Sequence, residues 1–313
     1  RIYLFYIPMS GDASLLPSYV QRLRQNWSPN ETDPVSLVDY IEVLEALADY
    51  DSQNENHEQA LWDVNEAIRM DSCLSKLNPY ASRPYQIYAY AASTYAFEGK
   101  IQELQDAAYK VANSIEETFP KIKATFEVNN LASTAYSVLE ALVGAECYDT
   151  ADSIAKQIDA LGLIPLVETK YKENIGTNIG AYKVFLGQAL AYQNRLAESE
   201  SLVKDGLELM SKDENAASTL NYFGPSSNAI IEATRGNHLK AKTLYEEAIN
   251  IVLSQCEQEP DAWDSDLICH YYLGIADLYL SQGDKKQANK YIKQAEKYAS
   301  FELDRILINK RKK

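Results

Sequence analysis

The stretch "YYLGIADLYLSQGDKKQANKYIKQAEKYA", Tyr271–Ala299, decides the fold class of this 313-residue chain. Large side chains at Tyr272, Ile275 and Tyr279 alternate with the small Ala276 at spacings of three or four residues. This spacing is typical of one buried face of an amphipathic helix. The first part of the stretch therefore predicts a helix with a packing stripe, and it contains no catalytic motif.

The second part of the stretch predicts a tight turn and a second helix. Gly283 can adopt the left-handed conformation that ends a helix, and Asp284 can cap the helix that follows. Ala288, Ile292 and Ala295 then repeat the small and large spacing. Small residues let two helices approach closely, so we expect an antiparallel helical hairpin.

The same small, large, small spacing recurs upstream in the chain. It occurs at Ala60/Val64/Ala67, Ala151/Ala155/Ile158, Ser199/Val203/Gly206 and Ala241/Tyr245/Ala248. One further copy fits less well, because Leu104 occupies its small-residue position, although Tyr88, Ala92 and Tyr95 precede it before Gly99. The sequence therefore predicts six hairpins in phase.

These residues resemble the tetratricopeptide repeat (TPR), which places aromatic, Leu-Gly and Tyr positions on its first helix and small, aromatic and small positions on its second. The Leu186-Gly187 pair and the set Tyr272/Ala276/Tyr279/Ala288/Ala295 match best, and the resemblance covers residues 35 to 300. It implies an all-α protein, a right-handed α-α superhelix or solenoid of about six TPR-like hairpins.

The repeat length departs from the standard one. The small-residue anchors at 60, 104, 151, 199, 241 and 288 are 42 to 48 residues apart, against about 34 in the usual repeat. The extra residues are expected in longer helices or in loops such as "GLIPLVETKYKENIGTN" and "SKDENAASTLNYFGPSS". The longer unit looks more like the repeats of kinesin light chains or of sensor domains in bacterial signalling proteins.

Three regions follow from this pattern. Residues 1–34 are predicted to form an N-terminal extension or capping segment, with "SLLPSYVQRLRQNW" as a short helix. Residues 35–300 form the predicted array. Residues 301–313 are predicted to extend the last helix as a basic segment, either a solvated tail or the entry to a signalling helix or membrane anchor.

Charge and composition restrict the partners. The net charge is −15, but the last 30 residues carry +6, so the preceding ones carry −21. Such a surface disfavours nucleic acid and attracts basic partners, although it could also be only a solvated acidic face. No apolar run approaches the roughly 18 residues that a membrane helix needs, so no membrane insertion is expected within the chain.

No catalytic or metal motif is recognised. "HEQAL" lacks the second histidine of a zinc-binding HExxH, "GTNIGAYK" has the wrong spacing for a P-loop, and "SIAK" lacks its companion motifs. Cys269-His270 beside Cys256 could supply metal ligands, yet no fourth ligand is evident. Cys256 and Cys269 either form a disulfide or are buried thiols. We therefore expect the protein to have no enzymatic activity and to bind neither a cofactor nor a metal ion.

The concave groove is where the resemblance implies binding. Residues on the first helices that lie between the packing positions face this groove in TPR proteins. On this chain they are Tyr90, Ser93, Phe97, Tyr136, Glu140, Phe185, Gln188, Tyr192 and Asp277. The Lys and Asn residues of carboxylate-clamping TPR proteins are absent here. A Tyr-rich groove suits a peptide, although any one tyrosine could equally serve packing between repeats.

The sequence therefore predicts a non-enzymatic module that binds a protein or peptide, basic by charge. By resemblance it would be the ligand-sensing domain of a bacterial sensor kinase or regulator. The alternatives are an assembly scaffold or self-associating spacer, such as a homodimer, and more remotely an enzyme with an unrecognised pocket. An extracytoplasmic, periplasmic location is favoured over the cytoplasm.

Overall fold

A computed structural model of the chain describes residues 29–54, 56–123, 125, 127–171, 176–213, 216–256 and 260–313. The capping helix predicted before residue 29 lies outside this range. The described residues form no strand and fourteen α-helices, which are α1 Pro34–Gln53, α2 His57–Leu77, α3 Pro84–Phe97, α4 Ile101–Ile122, α5 Val128–Gly144, α6 Tyr148–Ala160, α7 Leu163–Lys170, α8 Ala181–Tyr192, α9 Leu196–Met210, α10 Ala217–Thr234, α11 His238–Gln255, α12 Ala262–Ser281, α13 Lys285–Ala295 and α14 Glu302–Arg311. None of them combines the length with the apolar composition that a bilayer-spanning segment needs.

Twelve of these helices pair into six antiparallel hairpins. The pairs are α1/α2, α3/α4, α5/α6, α8/α9, α10/α11 and α12/α13, numbered here as hairpins 1 to 6. The first helices of neighbouring hairpins pack against one another in chain order. The prediction of an all-α solenoid of about six TPR-like hairpins is confirmed.

The seams within the hairpins are built from the predicted small and large residues. Ala288, Ile292 and Ala295 are buried, as are their counterparts in the other second helices. At Gly187 an added Cβ would lie 2.7 Å from Val203 Cγ2, well inside van der Waals contact. Helices α8 and α9 can therefore approach closely only because a glycine occupies this position.

The turns inside hairpins 2 to 6 share one backbone feature. Each passes through a residue with positive φ, namely Gly99, Glu146, Asn194, Gly236 and Gly283. The left-handed conformation predicted for Gly283 is confirmed, with φ of 77°. Glycine and asparagine tolerate this conformation well, whereas a longer side chain is strained there. Glu146 is therefore the unusual member of the set.

The connection between hairpins 3 and 4 contains more structure than the predicted loop. Helix α7, Leu163–Lys170, follows Gly162, whose φ of 74° ends the preceding helix. A π-helical turn, Gly176–Gly180, then leads into α8. Leu163, Ile164 and Val167 are buried, so this short helix adds to the core.

The C-terminal segment does not extend the last helix as expected. Helix α13 ends at Ala295, and α14 is a separate helix. The Asp304 Oδ2 atom accepts hydrogen bonds from the backbone N–H groups of Ser300 at 2.8 Å and Phe301 at 3.0 Å, which starts the new helix. Phe301 is buried, and α14 packs on α12, α13 and, far back in the chain, on α3. The terminal helix therefore joins hairpin 6 to hairpin 2.

The four cysteines are free thiols. The Cys256 Sγ atom lies 3.3 Å from Asp264 Oδ2, while Cys269 is buried. Burial raises the pKa of Cys269 well above its usual value, and the nearby Asp304 and Asp266 charges add to this shift. The two cysteines that could have closed the loop between hairpins 5 and 6 therefore remain unbridged.

Candidate functional site

The concave side of the solenoid encloses a cavity of about 640 Å³. The first helices of all six hairpins contribute to its wall, from Glu45 on α1 to Asp277 on α12. Helix α14 closes one side with Leu303, Leu307 and Arg311. The cavity is therefore a property of the whole array together with its terminal helix.

Eight of the nine groove residues named from the sequence line this cavity. They are Tyr90, Ser93, Phe97, Glu140, Phe185, Gln188, Tyr192 and Asp277. Tyr136 lies outside the wall, partly buried against the hydrophobic core. The face of α5 that points into the cavity carries Ser133 and Ser137 instead. The structure thus brings eight of these side chains together, while binding by them stays a prediction.

Phe97, Phe185 and Gln188 make contacts within the wall itself. Phe97 packs on Phe301 with ring centroids 4.4 Å apart, so it holds α14 in place. Phe185 is buried and packs on another phenylalanine of the wall. The Gln188 Nε2 atom donates a hydrogen bond to Ser227 Oγ at 2.8 Å. These three residues shape the wall more than they offer groups to a ligand.

Tyr192 is the aromatic residue that the cavity leaves most accessible. Tyr192 lies within the concave wall, and 45% of its surface is exposed to the open space of the cavity. Its ring stacks on Tyr148 with centroids 4.2 Å apart and an interplanar angle of 12°. The pair presents a preformed aromatic surface, which suits an apolar or cationic ligand group.

An ionic cluster fastens the end of α14 to the wall. Arg311 donates to both carboxylate oxygens of Asp277, from Nε at 2.8 Å and from Nη2 at 2.7 Å. Arg311 also contacts Glu146, and the Lys310 Nζ atom lies 2.6 Å from Glu146 Oε2. A planar guanidinium held by two carboxylates is a geometrically specific contact. The basic terminus is therefore bound within the acidic concave wall.

Glu146 combines this contact with an unusual backbone. Its φ of 58° places it in the left-handed region, where the equivalent turns use glycine or asparagine. Burial alone would raise the pKa of Glu146, but the charges and hydrogen bonds of Arg311 and Lys310 outweigh burial and hold that pKa below its usual value. A strained residue with a shifted pKa at a cavity wall points to a specific role for its carboxylate.

A second titratable group lies between α12 and α14. The His270 Nε2 atom is 3.5 Å from Asp266 Oδ1 and 3.5 Å from Asp304 Oδ1. Burial would lower the pKa of His270, but the two carboxylates raise it to about 10. Within the described part of the chain, Asp266, His270 and Asp304 are the three donor residues that lie close enough together to hold a metal ion.

Glu140 extends this group across the cavity. Although the Glu140 side chain is exposed to the open space of the cavity, the protein around that space displaces bulk water and raises the pKa of Glu140 to about 7, and the charge of Asp266 adds to the effect. Among the described residues, the wall helices α1 to α12 supply the carboxylates of Glu45, Glu140, Glu146, Asp266 and Asp277 to the cavity but no lysine or arginine. Arg311 of α14 and His270 offset part of this negative charge, so the cavity is acidic on balance.

Several wall residues were not anticipated from the sequence. Trp263, Asp266 and His270 lie on the same face of α12 as Asp277, so helical periodicity counted back from Asp277 would have found them. Tyr245 comes from a second helix and reaches the cavity across Gly274, where an added Cβ would lie 2.6 Å from the tyrosine ring. Nothing in the repeat pattern indicates that crossing.

Comparisons with known proteins give structural likeness only. No family model matches the chain, and no curated protein matches it. The crystal structure of BtubC (BKLC) from P. vanneervenii is 11% identical, with a TM-score of 0.48 over 77% of this chain and 90% of that one. The Podosopora anserina putative kinesin light chain with nearly identical TPR-like repeats is 14% identical, with a TM-score of 0.39 over 69% and 96%. A single-residue variant of that protein gives the same identity and TM-score over 69% and 95%.

Proposed function

We propose that this chain is a non-enzymatic binding module that captures a short basic peptide segment in its concave cavity. Helical solenoids present extended concave surfaces, which commonly bind proteins. The observation that carries the proposal is the way Arg311 of α14 is held between Asp277 and Glu146. This contact within the chain supports a partner that offers the same basic chemistry to the wall.

The remaining cavity fits a partner of the same chemistry. Its volume of about 640 Å³ lies in the range of roughly 300–1,000 Å³ typical of ligand pockets. Besides the two carboxylates that hold Arg311, Glu45, Glu140 and Asp266 line it, and so does the aromatic surface of Tyr148 and Tyr192. A peptide carrying Lys or Arg next to an apolar side chain would satisfy both features.

The proposal can be tested by selecting short random peptides on the full chain at neutral pH. We expect the selected peptides to combine net positive charge with aromatic or aliphatic residues, and their affinity to fall with added salt. Tyr192→Ala should weaken a resynthesised peptide about 10-fold or more, as for an interface hot spot. Tyr109→Ala is the matched control, because Tyr109 is 42% exposed on the outer helix α4.

Two results would contradict this function. If the selected peptides carry no positive charge, the cavity does not select basic partners. If Tyr192→Ala and Tyr109→Ala change peptide affinity equally, the cavity is not the binding site. If the purified chain instead forms a stable homodimer with its cavity buried between copies, the scaffold function would replace peptide capture. Light scattering after size-exclusion chromatography distinguishes these outcomes.

We further propose that the module is the sensing or interaction domain of a larger bacterial signalling protein. Long TPR-like repeats and an enclosed acidic cavity support this role. The test is the full-length gene: a kinase or DNA-binding domain encoded beside this array would support it. A gene encoding this array alone, with no output domain, would contradict it.

A further inference from the structure

We propose that Asp266, His270 and Asp304 form a binding site for one divalent transition-metal ion of the Zn²⁺ type, which ties α14 to α12. Asp266 and His270 are one helical turn apart on α12, so their side chains project from the same face. Asp304 reaches the same point from the first turn of α14. The site therefore needs both helices.

The distances fit a metal better than a hydrogen-bonded ion pair. A charge-assisted N–H···O bond normally measures about 2.7–2.9 Å. The two separations from His270 Nε2 are 3.5 Å each, which is too long for such a bond. The donor atoms of the three residues lie within 4.8 Å of one another, so an ion equidistant from them would be at most about 2.4 Å from each. Zinc bonds to nitrogen and oxygen measure about 2.0–2.2 Å, so only a small contraction is needed.

Asp304 supplies the second, independent observation. Its side chain is 0% exposed, and its Oδ1 atom accepts no hydrogen bond, whereas its Oδ2 atom caps α14. A fully buried carboxylate oxygen without a hydrogen bond is costly, and such atoms require a compensating partner. In the metal-free chain the protonated imidazole of His270, 3.5 Å away, is the nearest counter-charge of this oxygen. A divalent cation bound between Asp304 Oδ1 and His270 Nε2 would replace that proton, which is released to solvent, and would supply the partner.

The surrounding charge favours the same conclusion. Asp266 and Asp304 place two carboxylates beside one imidazole, and Glu140 is near enough to Asp266 for their charges to interact. Because Zn²⁺ is d¹⁰ and accepts nitrogen and oxygen ligands, it suits one histidine with two carboxylates. Asp266 and His270 also line the cavity, so a fourth coordination position would face it and would be filled by water or by a donor atom of a bound ligand.

Metal binding can be measured on the full chain after treatment with a chelator. We expect isothermal titration with Zn²⁺ to show one equivalent, and Co²⁺ to give the visible absorption of a low-coordinate nitrogen and oxygen site. His270→Gln and Asp266→Asn should each weaken Zn²⁺ binding by roughly 100-fold or more, since each removes a ligand. Circular dichroism of the metal-free variants verifies that they remain folded.

His57→Gln is the matched control. His57 also faces a buried carboxylate, that of Glu98, but it belongs to no group of three donors within the described residues. We expect its variant to bind Zn²⁺ like the unmodified chain. Bound Zn²⁺ should also slow amide hydrogen exchange in α14 in the unmodified chain but not in Asp266→Asn. The proposal is overturned if the chelated chain binds no stoichiometric Zn²⁺, or if folded His270→Gln and Asp266→Asn bind it as tightly as the unmodified chain.

Discussion

The seams inside the hairpins and the concave wall follow opposite rules. The seams repeat one pattern of small and large residues, with Leu104 of hairpin 2 as the exception, and these residues are buried and almost entirely apolar. The wall changes from hairpin to hairpin, with Ser93, Glu140, Gln188 and Asp277 at comparable positions, and helix α14 closes it. The difference indicates that the seams supply stability whereas the wall supplies specificity. Substitutions in the two regions should therefore affect different measurements.

The largest expected effect is at the seam of hairpin 2. Leu104 occupies a position where the other hairpins have a small residue, yet it is 0% exposed. We expect Leu104→Ala to lower the free energy of unfolding by about 2–5 kcal/mol, because it leaves a cavity although it restores the repeat pattern. Urea unfolding followed by circular dichroism measures this. Ser137→Ala on the wall is the control and should cost less than about 1 kcal/mol.

If Leu104→Ala lowers the free energy of unfolding by less than Ser137→Ala does, the helices of hairpin 2 can close around a small residue. The seam would then be adaptable, and stability would no longer separate it from the wall.

Sequence reasoning succeeded at the seams because their signal is local. Ala288 and Ala295 are recognised from spacing within one helix. The positions of Gln188 and Asp277 on the wall were implied by the resemblance to TPR proteins. It failed for α14, whose contact between Lys310 and Glu146 joins residues 164 positions apart. No repeat period reports a contact of that range.

The apolar residues of α14 did carry a signal. Phe301, Leu303, Leu307 and Ile308 are all buried, and they stand in an otherwise charged segment at helical spacing. This pattern indicates a helix with a face to bury, but not the surface that receives it. The charged cluster at His270 was missed for the same reason, because its third member belongs to α14.

The next largest effect is expected where α14 meets the wall. Phe301 packs against both Phe97 and Trp263. We expect Phe301→Ala to weaken docking of α14 by about 2 kcal/mol, the value of burying one phenylalanine side chain, which is roughly 30-fold in the undocked population. Amide hydrogen exchange of residues 302–311 should accelerate by that factor.

The hairpins themselves should keep their exchange protection in Phe301→Ala, because their seams are unchanged. Asn309→Ala changes an exposed side chain of the same helix, and it serves as the control. If both variants accelerate exchange equally, Phe301 is not the anchor of α14.

A smaller effect is expected at Glu146, where the strained turn and the wall coincide. Glu146→Gly removes a side chain from the left-handed region, which should relieve about 1 kcal/mol of strain. It also removes the carboxylate that binds Lys310 and Arg311. We expect the free energy of unfolding to stay within about 1 kcal/mol while hydrogen exchange in α14 accelerates several-fold. Asn194→Gly is the matched control, because it changes the equivalent turn of hairpin 4 and should leave α14 protected.

The pH dependence of docking tests the same contact from the opposite direction. The folded-state pKa of Glu146 lies below its usual value. The contribution of Glu146 to the docking of α14 is therefore fully present at a pH above the ordinary glutamate pKa, and it is lost as the pH falls through the folded-state pKa. Asp277 opposes this trend, since burial raises its pKa despite Arg311. Both carboxylates titrate in the unmodified chain, whereas the Glu146→Gly variant retains only Asp277. The difference between the two pH profiles of α14 exchange therefore isolates Glu146, and parallel profiles below about pH 5 would show that its carboxylate does not hold the helix.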